Sequence, residues 1–128
     1  MNVYFDNAAT TKIRDEVIDN MSNVLKDCFG NPSSTHSYGR SAKSYIETAR
    51  KSIAKILNCD PGEIIFNSGG TESDNSILKC AVKDLGVKHI ISSKIEHHAI
   101  THTLDELKLQ GVNVNYVKLS ENGNVDID

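Results

Sequence analysis

The feature that most constrains this chain is the order of its apolar segments from residue 63 onward. Three short stretches rich in β-branched and aromatic residues, EIIFN, KHIISS and VNVNYVKL, are predicted strands. Between them lie two stretches with apolar residues at helical spacing, one running to about Leu85 and the other ended by Gly111. This β-α-β-α-β order predicts right-handed crossovers and mainly parallel strands, and therefore an α/β fold.

Residues 1–62 precede this pattern and are predicted to form an N-terminal arm and two helices. Helical spacing of apolar residues runs over about 14–29 and again over about 41–58, with the loop FGNPSSTHSYGR between them. Residues 63–128 would then be part of a larger sheet, because parallel strands are normally flanked and covered by further elements. With a possible helix N-cap at Asp128, we expect the N-terminal piece of a longer protein, in which this one domain is incomplete.

Composition excludes several classes of function. The 128 residues carry a formal net charge of −3, so there is no basic footprint for nucleic acid. No apolar run approaches the roughly 18 residues of a membrane span, and the start lacks a secretory signal, so a cytoplasmic location is predicted. The cysteines Cys28, Cys59 and Cys80 are odd in number and widely spaced, which disfavours disulfides or zinc. Cys80 falls on the apolar side of its predicted helix and is expected to be buried.

The stretch FNSGGTESDN connects the first predicted strand to a predicted helix. Gly69 and Gly70 allow unusual backbone angles and close approach, and Thr71 would open a helix whose first amides are unpaired. Such a turn suits a phosphate group. The alternative is a plain connection in which Thr71 is the N-cap and Asp74 completes a capping box. The anion site also requires that Glu72 and Asp74 point away from the helix amides.

The stretch SSKIEHHAI follows the second predicted strand, on the same expected sheet edge. His97 is nearest the strand end, where it could stack on a flat ring or transfer a proton near neutral pH, although a solvent-exposed histidine is the alternative. His98 and His102 lie one helical turn apart. Because no third ligand is evident, a solvated helix face is favoured over a metal site, and no metal is predicted.

Four stretches carry a family resemblance across all 128 residues. VYFDNAATT, FGNPSSTHSYGR, IIFNSGGTESDNSI and HIISSKIEHHAI resemble, in this order, the cysteine desulfurases of the NifS/IscS group. That group belongs to the class V aminotransferases, which are enzymes of fold type I that use pyridoxal 5′-phosphate. The resemblance implies the N-terminal part of the large domain of that fold.

The resemblance also implies roles for three residues. Gly70 and Thr71 match the pair that binds the cofactor phosphate, and His97 matches the catalytic histidine that stacks on the pyridine ring and is implicated in proton transfer. The loop at 30–40 and the DNAATT arm would border the active-site entrance. The Schiff-base lysine, the aspartate on the pyridine nitrogen and the persulfide cysteine lie further along in the family, so the chain alone is predicted to be inactive.

For the whole protein, the resemblance implies conversion of L-cysteine to L-alanine with transfer of sulfur as an enzyme persulfide. The implied partners are L-cysteine, an iron–sulfur scaffold or another sulfur acceptor, and a second copy in a homodimer. Two alternatives stay open. One is a related pyridoxal-phosphate enzyme, such as a selenocysteine lyase or another class V aminotransferase. The other is a non-catalytic fragment that binds a partner or phosphate.

Overall fold

The computed structural model describes residues 1–126 and divides the chain into two compact units after Ile65, whereas the sequence pattern changes after residue 62. Residues 1–65 are called the N-terminal unit and the residues from Phe66 onward the C-terminal unit. The possible helix cap at Asp128 lies outside the described residues. None of the helices formed by residues 1–126 combines the length and the apolar character that crossing a lipid bilayer requires.

The N-terminal unit contains two helices, α1 (Asp15–Asp27) and α2 (Ser37–Leu57). Helix α1 carries acidic residues in its first turn and Lys26 in its last, as the helix dipole favours. Helix α2 begins at Ser37 rather than near Ser41, because Nδ1 of His36 accepts a hydrogen bond from the Gly39 amide and caps the helix earlier than the apolar stripe indicates.

The segment EIIFN does not form the predicted strand, which corrects the first element of the β-α-β-α-β pattern. Residues Pro61–Glu63 form a 3₁₀ turn that begins with a capping box between Asp60 and Glu63. Ile64 has extended backbone angles, but extended residues make a strand only when a neighbouring strand pairs with them. The Ile64 carbonyl instead accepts a hydrogen bond from the guanidinium of Arg50 on α2.

The C-terminal unit runs α3 (Gly70–Lys83), β1 (His89–Ser92), α4 (His98–Leu109) and β2 (Asn113–Tyr116). Strands β1 and β2 pair in parallel, with His89 opposite Asn113, so the predicted parallel strands at KHIISS and VNVNYVKL are confirmed. Helix α4 is the crossover between them and also packs along α3. The parallel pairing places the carboxyl end of β1 and the start of α4 at one edge of this short sheet.

The core of the C-terminal unit lies under α4. Leu104 and Leu107, which the helical spacing turns inward, are fully buried, and Val112 just before β2 is buried with them. Burying one such side chain stabilises a fold by about 1.5–3 kcal/mol. These residues therefore fix the position of α4 on the sheet, and with it the position of the backbone at the start of α4.

Cys80 is exposed, contrary to the expectation that it is buried. Helix α3 meets α4 through the side that carries Asn75, whose amide group contacts α4 directly. Cys80 lies on a different side of the helix together with Ile77, which is 69% exposed. The apolar stripe of α3 is wider than the side that its partner helix covers, and spacing alone does not show which part of a wide stripe is buried.

Candidate functional site

The site begins at the first turn of α3. Gly69 precedes the helix with φ +154° and ψ −178°, a backbone region that is open essentially to glycine alone. The helix begins at Gly70, so Thr71 is its second residue and not its N-cap. The alternative of a capping box between Thr71 and Asp74 is therefore wrong, because a glycine with no side chain occupies the cap position.

The donors at this helix start are unused within residues 1–126. The backbone amides of Gly70, Thr71 and Glu72 have no hydrogen-bond partner there, and neither has the Thr71 hydroxyl, whereas the Ser73 amide already donates to the Gly69 carbonyl at 3.1 Å. A Cβ built on Gly70 would meet no atom within 4 Å, so the turn is open on that side. Free amides at the positive end of a helix dipole form a site for an anion.

Glu72 does not fill this site with its own carboxylate. Its Oε2 accepts hydrogen bonds from both the amide and the hydroxyl of Ser68, each at 2.7 Å. These bonds, with the backbone bond making the larger contribution, lower the pKa of Glu72. Asp74 makes no hydrogen bond to the helix amides within the described part of the chain. Neither carboxylate therefore occupies the free amides at the start of α3, as an anion site there requires.

Asn67 holds the shape of the turn, a role that the sequence did not reveal. Its Oδ1 accepts from the Gly69 amide at 3.1 Å, and its Nδ2 donates to the Ser73 hydroxyl at 2.7 Å. The Asn67 side chain thus spans the turn from before the glycines to the first turn of α3. An Asn two residues before a pair of glycines is a signal for this role, because the Asn side chain often bonds the backbone two residues on.

His97 is the N-cap of α4. Its Nδ1 accepts a hydrogen bond from the Ala99 amide at 3.1 Å, while the residue remains exposed. An Nδ1 that accepts carries no proton in the neutral ring, so the proton lies on Nε2. The cap therefore fixes both the orientation of the ring and the nitrogen that presents a proton to an incoming group.

Thr71 and His97 share one cleft of about 350 Å³. The cleft lies between the start of α3 and the exposed side of α4. Its lining comprises Thr71, Asn75, His97, His98, Ala99, His102, Thr103 and Glu106. The structure therefore brings Thr71, with its unpaired amide and hydroxyl, and a histidine with a fixed tautomer to the same cleft, whereas Gly70 is not among the residues that line it.

The comparison with protein families decides which known group this arrangement belongs to. The sequence model described as "Aminotransferase class-V" matches residues 3–128, which is nearly the whole chain. The chain belongs to the aminotransferase class-V family. The resemblance drawn from the four sequence stretches is thereby confirmed at the level of the family.

Relatives of this class-V chain carry the name cysteine desulfurase. The "Cysteine desulfurase IscS" of Dictyoglomus turgidum is 46% identical over 128 residues, which cover 98% of this chain and 32% of that protein. The protein of the same name in Methanosarcina thermophila is 46% identical over 129 residues, with the same two coverages. The chain thus spans about a third of the length of the curated relatives that it matches.

Solved structures show the same fold. A "NIFS-LIKE PROTEIN" superposes with a TM-score of 0.92 at 40% identity, covering 99% of this chain and 35% of that one. A structure named "SspA in complex with cysteine" superposes with a TM-score of 0.83 at 37% identity, covering 91% and 34%. The fold is part of the large domain of fold-type-I enzymes, with an incomplete parallel sheet, as the sequence predicted.

His98 and His102 lie on the exposed side of α4 in this class-V chain. Their rings stack with centroids 5.1 Å apart, and both residues are exposed. Within residues 1–126 no three His, Cys, Asp or Glu side chains come together as metal ligands. The two histidines line the cleft beside His97, and a solvated helix face accounts for their position.

Asn75 and Thr103 are the residues of the cleft that the sequence did not reveal. Asn75 Nδ2 donates to the Thr71 carbonyl at 2.8 Å, and the Thr103 hydroxyl lies 2.8 Å from Asn75 Oδ1. The sequence did contain a signal for Asn75: it lies one helical turn after Thr71 and one turn before apolar residues on the same side of α3. A polar residue in line with buried ones needs a partner, and its partner is on α4.

Proposed function

We propose that this chain forms the phosphate-binding and ring-stacking part of a pyridoxal 5′-phosphate-dependent cysteine desulfurase. The observation that carries the proposal is that Thr71, beside unpaired helix amides, lines the same cleft as His97. The family match and the names of the relatives support it. The residues fit the cofactor, because one end of the cleft offers anion donors and the other offers a flat ring.

The phosphate end would be held by Gly70 and Thr71. Their amides and the Thr71 hydroxyl supply neutral donors, and the dipole of α3 adds a positive potential. Hydrogen bonds to a charged group are each worth about 1.5–3 kcal/mol, which is enough for a few donors to retain a dianion. Because the Glu72 carboxylate is bonded to Ser68, it does not compete for these donors.

The ring end would be held by His97. The Ala99 amide fixes the imidazole through Nδ1 and leaves the Nε2 proton free to move toward or away from a reacting group. When bound, pyridoxal phosphate supplies an electron sink for the α-carbon of an amino-acid substrate. The part of this chain in the chemistry is to orient the ring and to hold a proton beside it.

The substrate that we propose is L-cysteine. The products are L-alanine and a persulfide on an enzyme cysteine, from which an iron–sulfur scaffold or another acceptor takes the sulfur. The support is the name shared by the relatives, together with a similar solved structure named as a complex with cysteine. A homodimer is proposed on the family resemblance alone, and the cytoplasmic location stays a prediction from the sequence.

The test uses the full-length protein that carries this segment, loaded with pyridoxal phosphate and given a thiol reductant. We expect L-cysteine to yield equal amounts of alanine and sulfide. Selenocysteine and a pair of amino acid and keto acid are run in parallel. Turnover of selenocysteine with none of cysteine would favour a selenocysteine lyase, and amino transfer without sulfide would favour an aminotransferase.

The 128-residue chain alone is proposed to be inactive. We expect that mixing it with pyridoxal phosphate gives no stoichiometric absorption band that survives gel filtration, because the resemblance places the attaching lysine outside this chain. The full-length protein is the positive control for the band. A stable stoichiometric band from the isolated chain would contradict this proposal.

A further inference from the structure

We infer that Asn75 is a positioning residue that fixes the phosphate-binding turn at the start of α3 relative to the ring of His97. The inference rests on the proposed function, since it assigns Asn75 a role toward the same cofactor. It concerns the spacing between two groups that hold the cofactor, and Asn75 itself is not required to touch the phosphate. Its basis is the set of hydrogen bonds that join the two helix starts.

The amide group of Asn75 bonds to both helices. Its Nδ2 donates to the Thr71 carbonyl at 2.8 Å on α3 and to the Ala99 carbonyl at 3.4 Å on α4. Its Oδ1 lies 2.8 Å from the hydroxyl of Thr103, which is only 4% exposed. Because a carbonyl can only accept, Thr71 and Ala99 fix which end of the Asn75 amide is nitrogen and which is oxygen.

Ala99 links Asn75 to the histidine. The amide of Ala99 donates to Nδ1 of His97 at 3.1 Å, while its carbonyl faces Asn75 and also lies 2.8 Å from the Thr103 hydroxyl. A continuous path of hydrogen bonds therefore runs from the backbone of Thr71 through Asn75 and Ala99 to the imidazole. A cofactor held at both ends binds best when the distance between the two ends is fixed in advance.

The chemistry of the path explains why an asparagine is needed. An aspartate of the same shape could accept from Thr103 but could not donate, so its charge would face the carbonyls of Thr71 and Ala99. An apolar residue would leave the Thr103 hydroxyl without its side-chain acceptor. The planar amide supplies two donors and an acceptor in one group of fixed geometry.

A second link between the same helices provides a contrast. Lys79 and Glu106 form an ion pair at 2.9 Å across α3 and α4, with side chains 46% and 51% exposed. Neither residue bonds to Thr71 or to the His97 cap. If Asn75 served only to hold the helices together, loss of its hydrogen bonds and loss of the ion pair would both affect the binding and orientation of the cofactor, and the two effects would differ only in size.

The experiment uses the full-length protein loaded with pyridoxal phosphate and compares Asn75→Asp, Thr103→Val, Thr103→Ser and Lys79→Ala. The dissociation constant of the cofactor is measured by equilibrium dialysis, and the orientation of the bound cofactor by its visible circular dichroism band. We expect the constant to rise about tenfold for Asn75→Asp and about fivefold for Thr103→Val. Both variants should change the dichroism band and lower kcat with KM for cysteine nearly unchanged.

The controls separate positioning from structure. Thr103→Ser retains the hydroxyl and should keep the wild-type constant and band, and Lys79→Ala should leave the band unchanged. A wild-type constant and band in both Asn75→Asp and Thr103→Val would overturn the inference, even when Thr71→Ala weakens the cofactor and so supports the proposed function. If Asn75→Asp does not fold, the Thr103→Val and Thr103→Ser pair decides alone. If the full-length protein binds the cofactor but releases no alanine from cysteine, the desulfurase proposal is refuted and the inference about Asn75 still stands.

Discussion

The two helix starts at the cleft solve the same problem in opposite ways. At the start of α4, the His97 side chain occupies the Ala99 amide. At the start of α3, the cap position is a glycine, and the amides of the next three residues have no partner within residues 1–126. One start uses its donors to orient a ring, and the other leaves its donors available for a ligand.

The difference shows how a helix start becomes a binding site. Any helix start leaves several amides unpaired, and natural helices usually satisfy them with a capping side chain. Around α3, the side chains that could do so are bonded elsewhere, since Asn67 bonds Gly69 and Ser73 and the Glu72 carboxylate bonds Ser68. The available amides at α3 therefore depend on where these neighbouring side chains are held.

The largest expected effect separates the two roles of His97. Asparagine is a good N-cap, so His97→Asn should keep the start of α4 and the stability of the fold. It removes the imidazole proton, and kcat of the full-length protein should fall by about 10²–10⁴-fold. His97→Ala should lose the same activity and, in addition, about 1 kcal/mol of stability. Wild-type kcat in His97→Asn would show that the ring has no part in proton transfer.

A smaller effect is expected from Gly69→Ala, which tests the open start of α3. Alanine in this backbone region costs about 1–3 kcal/mol, and relief of that strain should move the free amides. The matched control is Gly86→Ala, because Gly86 also has a positive φ of +69° but lies outside the cleft. Both variants should unfold at lower temperature, and only Gly69→Ala should retain pyridoxal phosphate less well. Equal cofactor retention in the two variants would contradict the role of the turn.

The smallest effect is expected from Glu72→Gln, which keeps an acceptor for Ser68 but removes the charge. The bonds from Ser68 lower the pKa of Glu72 in the folded state from its usual value of 4.5. The charged contact therefore stabilises the turn above pH 4.5 and is lost as the pH falls through the lowered pKa. The difference in Tm between wild type and Glu72→Gln should be small at neutral pH and vanish in acid. A difference that does not change with pH would count against the contact.

Much of the fold could be predicted because local periodicity and packing agree. The helices, the parallel pair of strands and the inward side of α4 at Leu104 and Leu107 follow from apolar spacing. The segment EIIFN has the same strand-like composition but lacks a paired strand among the described residues. Composition indicates that a segment can be extended, and only a partner makes it a strand.

The site was less predictable at the level of side-chain contacts. Glycines before a helix and a histidine after a strand indicated Gly70, Thr71 and His97 as candidates, and the structure places Thr71 and His97 at one cleft. The alternative of a capping box at Thr71 and Asp74 is wrong, because α3 begins two residues earlier than that box requires and Gly69 is its N-cap. Asn75 was missed since its role depends on a partner 28 residues later in the chain, at Thr103.

The measurement that tests the central claim most directly compares two ligands that differ only in the phosphate. Dissociation constants of pyridoxal phosphate and of pyridoxal are measured for the full-length wild type and for Thr71→Ala, with Thr71→Ser as the control that retains a hydroxyl. Losing one hydrogen bond to the phosphate costs about 1.5–3 kcal/mol, so Thr71→Ala should weaken pyridoxal phosphate by roughly 10- to 100-fold and leave pyridoxal unchanged. Unchanged affinity for pyridoxal phosphate, or an equal loss for both ligands, would contradict a phosphate site at the start of α3.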